Sequence, residues 1–397
     1  MDANIELFKG LAGIDYIRKI IEFKLAGIYI HIPFCRQACH YCDFHFSTNL
    51  ERIEQMADMI CRELALRADY LQNTTLETIY FGGGTPSLLP PKLIEKILNQ
   101  IAKTYNSEWK EITLEANPDD LHVDNLLAWK ELGIDRLSLG IQSFDEEVLK
   151  FYNRAHTAEE SKSAIEKARK IGFEKFSLDL IYGYPQPNHD LWERDLSEAI
   201  AQNPGHISSY ALTIEPKTAL GTWTNKGEFI PADEDFIAEQ FEILQELTHK
   251  AGYIQYEVSN FGQPDQFALH NTNYWKGVPF LGVGPSAHSF DGKNRGANPS
   301  NNSQYLKNLE KEIIPFAVEN LTKEERLNEY ILTGLRTLWG IDFGVIHSDY
   351  GFDLFPSKKV ILDQMDSEGW LVWKDKNLSL SKSGKLLADS IAAALFV

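Results

Sequence analysis

Cysteine is scarce here, with four in 397 residues. No charged segment, apolar block and small-residue cleavage site stands at the N-terminus, so four thiols do not suggest a disulfide framework. The expected compartment is the cytosol, where thiols stay reduced. Long apolar runs are also missing. None reaches the roughly 18 residues needed to span a bilayer. Any membrane association is therefore expected to be peripheral. Residues 14–25 (IDYIRKIIEFKL) read as a short amphipathic helix or a surface extension, with a membrane-surface role as the lesser option. Net positive charge is absent: 57 acidic residues against 39 basic ones leave a formal charge of −18. No basic block relieves it. Such a chain repels phosphate backbones, so nucleic acid is not an expected partner.

What is present is alternation. Strand-like runs occur at 27–32, 77–81, 111–115, 135–140, 175–180 and 206–212, with a seventh at 278–284. Helical periodicity fills the gaps at 51–70, 91–104, 120–132 and 158–171. The last two run into Gly133 and Gly172, as helix stops do. Strands alternating with helices predict a parallel sheet with helices outside. About six units are too few for a closed eight-stranded barrel. The predicted fold is α/β, a partial (β/α)6 barrel of the TIM type. Its strands end in unusual sequences: HIPFC, GGGTPS, EANP, GIQSF, DLIYGYP and LTIEP. In a parallel barrel those ends share one face, where the site lies.

Past residue 290 the texture changes. Residues 291–305 (DGKNRGANPSNNSQY) are polar and read as a linker or surface loop. Helices are expected near 322–338, 356–368 and 382–395, with a hairpin over 369–381 turning at 374–377. That pattern suggests a small winged-helix-like domain acting as a lid or docking unit. The expected divisions are an N-terminal extension (1–25), a core (26–290), a linker (291–321) and a C-terminal domain (322–397).

Three of the four cysteines, Cys35, Cys39 and Cys42, sit in YIHIPFCRQACHYCDF with C-x3-C-x2-C spacing. Cys61 falls in an amphipathic helix and reads as a small buried apolar residue. Clustered cytosolic thiols point to metal. Zinc wants four ligands, usually as two separated pairs, so a zinc site would need His31, His40 or His45. A [4Fe–4S] cluster held by three thiolates leaves one iron open to a substrate or cofactor. FGGGTPS can bring bare backbone close to a ligand. Glu115 is a carboxylate at a strand end, costly to bury without a partner.

The cysteine motif, with Tyr41 before its last cysteine, resembles that of the radical S-adenosylmethionine (SAM) superfamily. In that family the open iron chelates the amino and carboxylate groups of SAM, and electron transfer yields a 5′-deoxyadenosyl radical. The resemblance implies a [4Fe–4S] cluster on Cys35, Cys39 and Cys42. It places Gly83, Gly84, Thr85 and Glu115 at the methionyl end of SAM. Gln142, Arg154 and Asp179 match the family's other polar contacts. Tyr29 and Tyr41 match positions near the cluster and adenosine.

From about residue 26 to the C-terminus the motifs resemble the coproporphyrinogen dehydrogenase (HemN-like) branch. Its dehydrogenases carry a further cysteine two positions after the triplet, where this chain has Phe44. The branch's heme-chaperone group reads C-D-F there, as this chain does. HNTNYW (270–275) resembles that group's heme-binding motif and marks His270, Asn271, Tyr274 and Trp275. The resemblance thus implies heme binding and delivery to an apo-hemoprotein, with the acceptor expected at the membrane. True catalytic turnover is not implied, and a homodimer is one expected form. Oxidative decarboxylation of coproporphyrinogen III to protoporphyrinogen IX is the alternative.

Overall fold

The computed structural model describes residues 25–397 apart from Asn73. The helix expected over residues 14–25 lies outside them except for Leu25, which opens the first strand.

Six parallel strands run in chain order through one sheet: β1 (Leu25–Ile32), β2 (Thr75–Gly83), β3 (Ser107–Ala116), β4 (Arg136–Gln142), β5 (Lys175–Tyr182) and β6 (His206–Ala211). Helices Ile53–Leu66, Pro91–Thr104, Val123–Glu131, Ala158–Ile171 and Asp190–Ala201 connect them. The sheet then grows at both edges. Beyond β6 lie antiparallel β7 (Ile254–Glu257) and β8 (Asn260–Gly262). Beyond β1 lies parallel β9 (Phe280–Val283), followed by antiparallel β10 (His288–Phe290), β11 (Arg295–Ala297) and β12 (Ala317–Glu319). The partial barrel is thus the middle of a twelve-stranded sheet.

Strand alternation explains where the core sits. Ile28, Ile30, Ile79, Phe81, Leu114, Leu137, Leu139, Leu178, Leu180 and Ile207 point outward and pack under the helices. The intervening positions point inward and are polar. They include Thr113, Glu115, Arg136, Ser138, Ser177, Asp179 and Ser208, which line an internal chamber. A barrel filled by branched apolar side chains would be solid; this one is hollow.

The helix ends are fixed locally. Helix Ala158–Ile171 starts in a capping box between Thr157 and Glu160 and stops at Gly172, whose φ is +94°. Asp145 caps the short helix Glu146–Phe151 by accepting from the Glu147 and Val148 amides.

Residues 291–321, expected as a linker, instead contain β11, β12 and helix Asn302–Glu310. Tyr305, Leu306 and Leu309 of that helix enter the main core. The strands are only three residues long, RGA and AVE, so sheet pairing rather than a sequence period forms them.

The C-terminal residues carry a second apolar cluster. Helices Lys323–Leu335, Leu354–Ser367 and Ala388–Leu395 surround a three-stranded sheet of β13 (Ile341–Asp342), β15 (Asn377–Leu380) and β14 (Leu371–Lys374). An additional helix, Phe343–Tyr350, was not expected from sequence. Arg336 ties this unit to the barrel through the buried Glu257 at 2.9 Å.

Candidate functional site

The chamber holds about 530 Å³ and opens at the C-terminal strand ends. That size suits a small-molecule cofactor. Its mouth is the loop after β1, which carries Cys35, Cys39 and Cys42, all free. The loop is pinned at its base, where Cys35 N donates to Ser47 O at 3.1 Å and Ser47 N to Pro33 O at 2.9 Å. It is pinned across the mouth by Asn153, a left-handed residue (φ +58°) that donates to Ala38 O at 2.7 Å and accepts from Gln37 at 2.6 Å. Removal from water pushes the Cys35 thiol up and the Cys42 thiol to about 12. Both would ionise only against added positive charge, which bound iron supplies. Among the described residues, no three Cys, His, Asp or Glu side chains gather where one ion would sit. A cubane places each thiolate on a different iron, so the triplet suits a cluster better than a lone zinc.

The predicted polar residues converge around the same space. Gly84 N donates to Ile32 O at 2.9 Å and Thr85 N to Phe34 O at 2.7 Å, stitching the glycine turn to the base of the cysteine loop. Glu115 accepts from Tyr80 Oη at 2.7 Å and from Gly83 N at 3.1 Å. Loss of water raises its carboxyl to about 7, and the Asp179 charge adds to the shift. Asp179 accepts from Ser138 at 3.1 Å. Burial raises it to about 6. Gln142 ends β4 at φ +67°, a conformation that favours glycine and turns its side chain toward the chamber. Arg154 follows the Glu146–Phe151 helix and reaches Cys39 Sγ and Tyr41 Oη, both at 3.4 Å. Tyr29 lies on β1, stacked on Tyr80 at 6.0 Å with its hydroxyl 3.2 Å from His31 Nδ1.

Three buried polar atoms on this wall, Thr113 Oγ1, Asp119 Oδ1 and Arg154 Nε, have no hydrogen-bond partner among the described residues. Unpaired buried groups are costly. They fit a wall meant to face a polar ligand. The sequence reading missed Tyr80, Asn117, Thr113, Ser138 and Ser208. Their signal was present as polar residues at every second position of the strands.

The HNTNYW residues do not form one face. They make helix Leu269–Trp275, which crosses the chamber floor. Glu111 on β3 accepts from the Leu269 and His270 amides at 3.0 and 2.9 Å, and Arg136 on β4 pairs with Glu111 at 2.9 Å. His270 sits at the helix's inner end. Its Nδ1 is 2.9 Å from Thr78 Oγ1 and its ring packs on Tyr80. Loss of water lowers its pKa to about 4. Asn271 lines the chamber. Tyr274 is at the outer end, half exposed against Phe280, and Trp275 lies under the Arg336 guanidinium.

Comparison with known proteins identifies the fold and the family. Residues 29–198 match the radical SAM superfamily model and residues 321–387 the HemN C-terminal domain. The coproporphyrinogen III oxidase HemN of Escherichia coli shares the fold at a TM-score of 0.82 and 21% identity, covering 94% of this chain and 91% of that one. The heme chaperone HemW of Bacillus subtilis is 32% identical over 93% of this chain and 99% of its own length. The heme chaperone HemW of Escherichia coli is 37% identical over 68% of this chain and 71% of its own. With a radical SAM core, a HemN-type C-terminal domain and a relative matched almost end to end, the chain belongs to the HemW family of the radical SAM superfamily.

Proposed function

We propose that this chain is a heme chaperone. It holds a [4Fe–4S] cluster on Cys35, Cys39 and Cys42, binds SAM in the hollow barrel, and passes heme to an apo-hemoprotein, with a respiratory acceptor at the membrane as the favoured target. The observation that carries the reading is the mouth of the chamber. Three thiols line it, and the position two residues past Cys42 is Phe44, 69% exposed, rather than a fourth cysteine. The cluster, when bound, supplies an open iron and a one-electron couple. The protein contributes the rest. Gly83, Gly84 and Thr85 present backbone to the methionyl end, Glu115 and Asp179 meet its cationic and hydroxyl groups, and Arg154 braces Cys39. Tyr41 and Gln142 close the wall, and Tyr29 backs it from behind Tyr80.

No helix among the described residues is long and apolar enough to cross a membrane. Contact with a membrane-bound acceptor is therefore proposed to be peripheral, from a cytoplasmic protein acting as a monomer or homodimer.

The alternative is coproporphyrinogen III dehydrogenation. It is kept because the barrel is hollow below the SAM level, down to Ser177 and Asn271. One anaerobic experiment separates the two. Cluster-loaded protein is given SAM, reductant, an electron acceptor and coproporphyrinogen III, and in parallel hemin and an apo-cytochrome. Heme transfer without protoporphyrinogen is expected. Protoporphyrinogen formed over many turnovers would establish the dehydrogenase instead.

A further inference from the structure

A heme site needs an imidazole nitrogen open to solution and a flat apolar surface beside it. His270 offers neither. Its ring lies on the chamber floor against Thr78 and Tyr80, behind the space given above to SAM. Most other histidines are engaged or enclosed, and the exposed His122, His249 and His288 have no aromatic ring packed against them among the described residues. His31 uses both nitrogens, on His45 O and Tyr29 Oη. His45 Nε2 meets Asn302 at 2.7 Å. His156 and His206 are buried.

His40 is different. It stands between Cys39 and Cys42, and its backbone is held on both sides: His40 N donates to Tyr152 O at 3.1 Å and Leu220 N to His40 O at 3.0 Å. Its Nδ1 is 2.7 Å from Phe151 O. A carbonyl only accepts, so Nδ1 carries the proton and Nε2 keeps a free lone pair. Nε2 has no partner among the described residues and is not enclosed. An imidazole whose other nitrogen donates to a carbonyl is the usual arrangement of a metal-ligating histidine. Beside it lies an aromatic ridge. Trp223 meets the His40 ring edge-on at 4.6 Å, and Phe151 packs on Tyr184 at 5.1 Å and Phe229 at 5.2 Å. These four rings are partly exposed, and Ile230 beside them is 80% exposed.

We propose that His40 Nε2 is the axial ligand of the heme, which lies outside the barrel on the ridge of Trp223, Phe151 and Phe229. The inference rests on the chaperone reading and names its heme site. It also joins the two cofactors physically. The loop that holds the cluster also holds the heme ligand.

The test is a hemin titration of anaerobically reconstituted full-length protein. It is followed by the Soret difference band and ferric electron paramagnetic resonance, with iron and sulfide measured on each sample. His40→Ala is expected to lose the histidine-ligated signature and weaken binding about tenfold or more, while His270→Ala keeps both. If His40→Ala fails to load its cluster, Trp223→Ala carries the test from outside the loop, with weaker heme binding expected. An unchanged spectrum and affinity in cluster-loaded His40→Ala, or in Trp223→Ala, would overturn the site and leave the chaperone reading intact. Loss of the signature in His270→Ala alone would move the ligand into the barrel. A wild-type protein that binds no heme would overturn the chaperone reading itself.

Discussion

One terminal nitrogen of Arg154 donates to Cys39 Sγ at 3.4 Å, while the other donates to Asn117 Oδ1 at 2.7 Å and Gly140 O at 2.8 Å. The guanidinium is thus aimed by two oxygens at one sulfur. Only a planar fork spans those partners, so lysine is not an equivalent. Arg154→Lys is expected to weaken SAM binding and cluster retention about tenfold, in line with the roughly 1.5–3 kcal/mol of a hydrogen bond to a charged group. Iron and sulfide per chain, with calorimetry of SAM binding, measure both. Full cluster content and wild-type affinity in Arg154→Lys would show that the contact with Cys39 is incidental.

Glu115 and Asp179 give the site a pH dependence whose sign is fixed. Their carboxyls are raised from 4.5 to about 7 and from 3.8 to about 6, chiefly by loss of water. The folded ligand-free protein therefore holds protons that the unfolded chain has lost. Their contribution to stability is fully present below about pH 4 and disappears as pH rises through 6 to 7. SAM brings a sulfonium and an ammonium, which favour the ionised carboxylates. SAM binding should release protons between about pH 5 and 7 and tighten as pH rises. Calorimetry in two buffers of different protonation enthalpy reads the release directly. Glu115→Gln should reduce it. Proton-neutral binding across this window would contradict the placement of SAM's cationic groups beside these carboxylates.

Most of the barrel was legible because its strands and helices carry strong local signals. Gly133 and Gly172 stop their helices at φ of +85° and +94°, and the outward strand positions are apolar enough to mark every strand. The inward positions carried a second message. Arg136, Ser138, Gly140 and Gln142 alternate with Leu137, Leu139 and Ile141. That alternation describes a hollow polar barrel. The cysteine spacing marked the chamber's mouth, but spacing could not reveal that Asn153 and Tyr152 clamp the loop from 110 residues or more away. Residues 291–321 were illegible because β11 and β12 are too short to show a period, and their pairing comes from distant chain. Helix Phe343–Tyr350 was hidden because it buries only Ile346 and has Gly344 in its first turn.

Gly84 is the tightest approach in the glycine turn. A Cβ there would sit 2.5 Å from Phe34 O and 2.9 Å from Ile32 O and Phe34 N. All three are backbone atoms, so no side chain can swing away. Gly84→Ala must part the ends of β1 and β2 and loosen the Gly84–Ile32 and Thr85–Phe34 hydrogen bonds. The expected cost is about 1–3 kcal/mol, as for other overpacked sites, with a fall in iron content because the cysteine loop starts at this seam. Unchanged cluster content and melting temperature would show that the strand ends yield freely.

Glu63 makes a different kind of prediction, because one carboxylate joins three parts of the fold. It is fully buried. It accepts from Tyr305 Oη at 2.6 Å, Asn298 Nδ2 at 2.8 Å, Gly284 N at 3.0 Å and Arg67 Nη1 at 3.1 Å. Arg67 continues to Gly282 O at 3.0 Å and is covered by the Phe316 ring at 3.9 Å. Helix Ile53–Leu66, the turn after β9 and the 298–305 segment therefore meet at one charge pair. Glu63→Ala leaves Arg67 buried and unpaired, which costs about 3–5 kcal/mol. The melting temperature should fall by several degrees, and proteolysis should begin within residues 291–321 while the C-terminal domain stays folded. Replacing both charges, Glu63→Leu with Arg67→Met, should recover part of the loss, since a buried pair is often no more stable than an apolar one of similar volume. Were the single variant to melt as wild type does, the network would be a passenger and the 298–305 segment would be held by Tyr305, Leu306 and Leu309 packing alone.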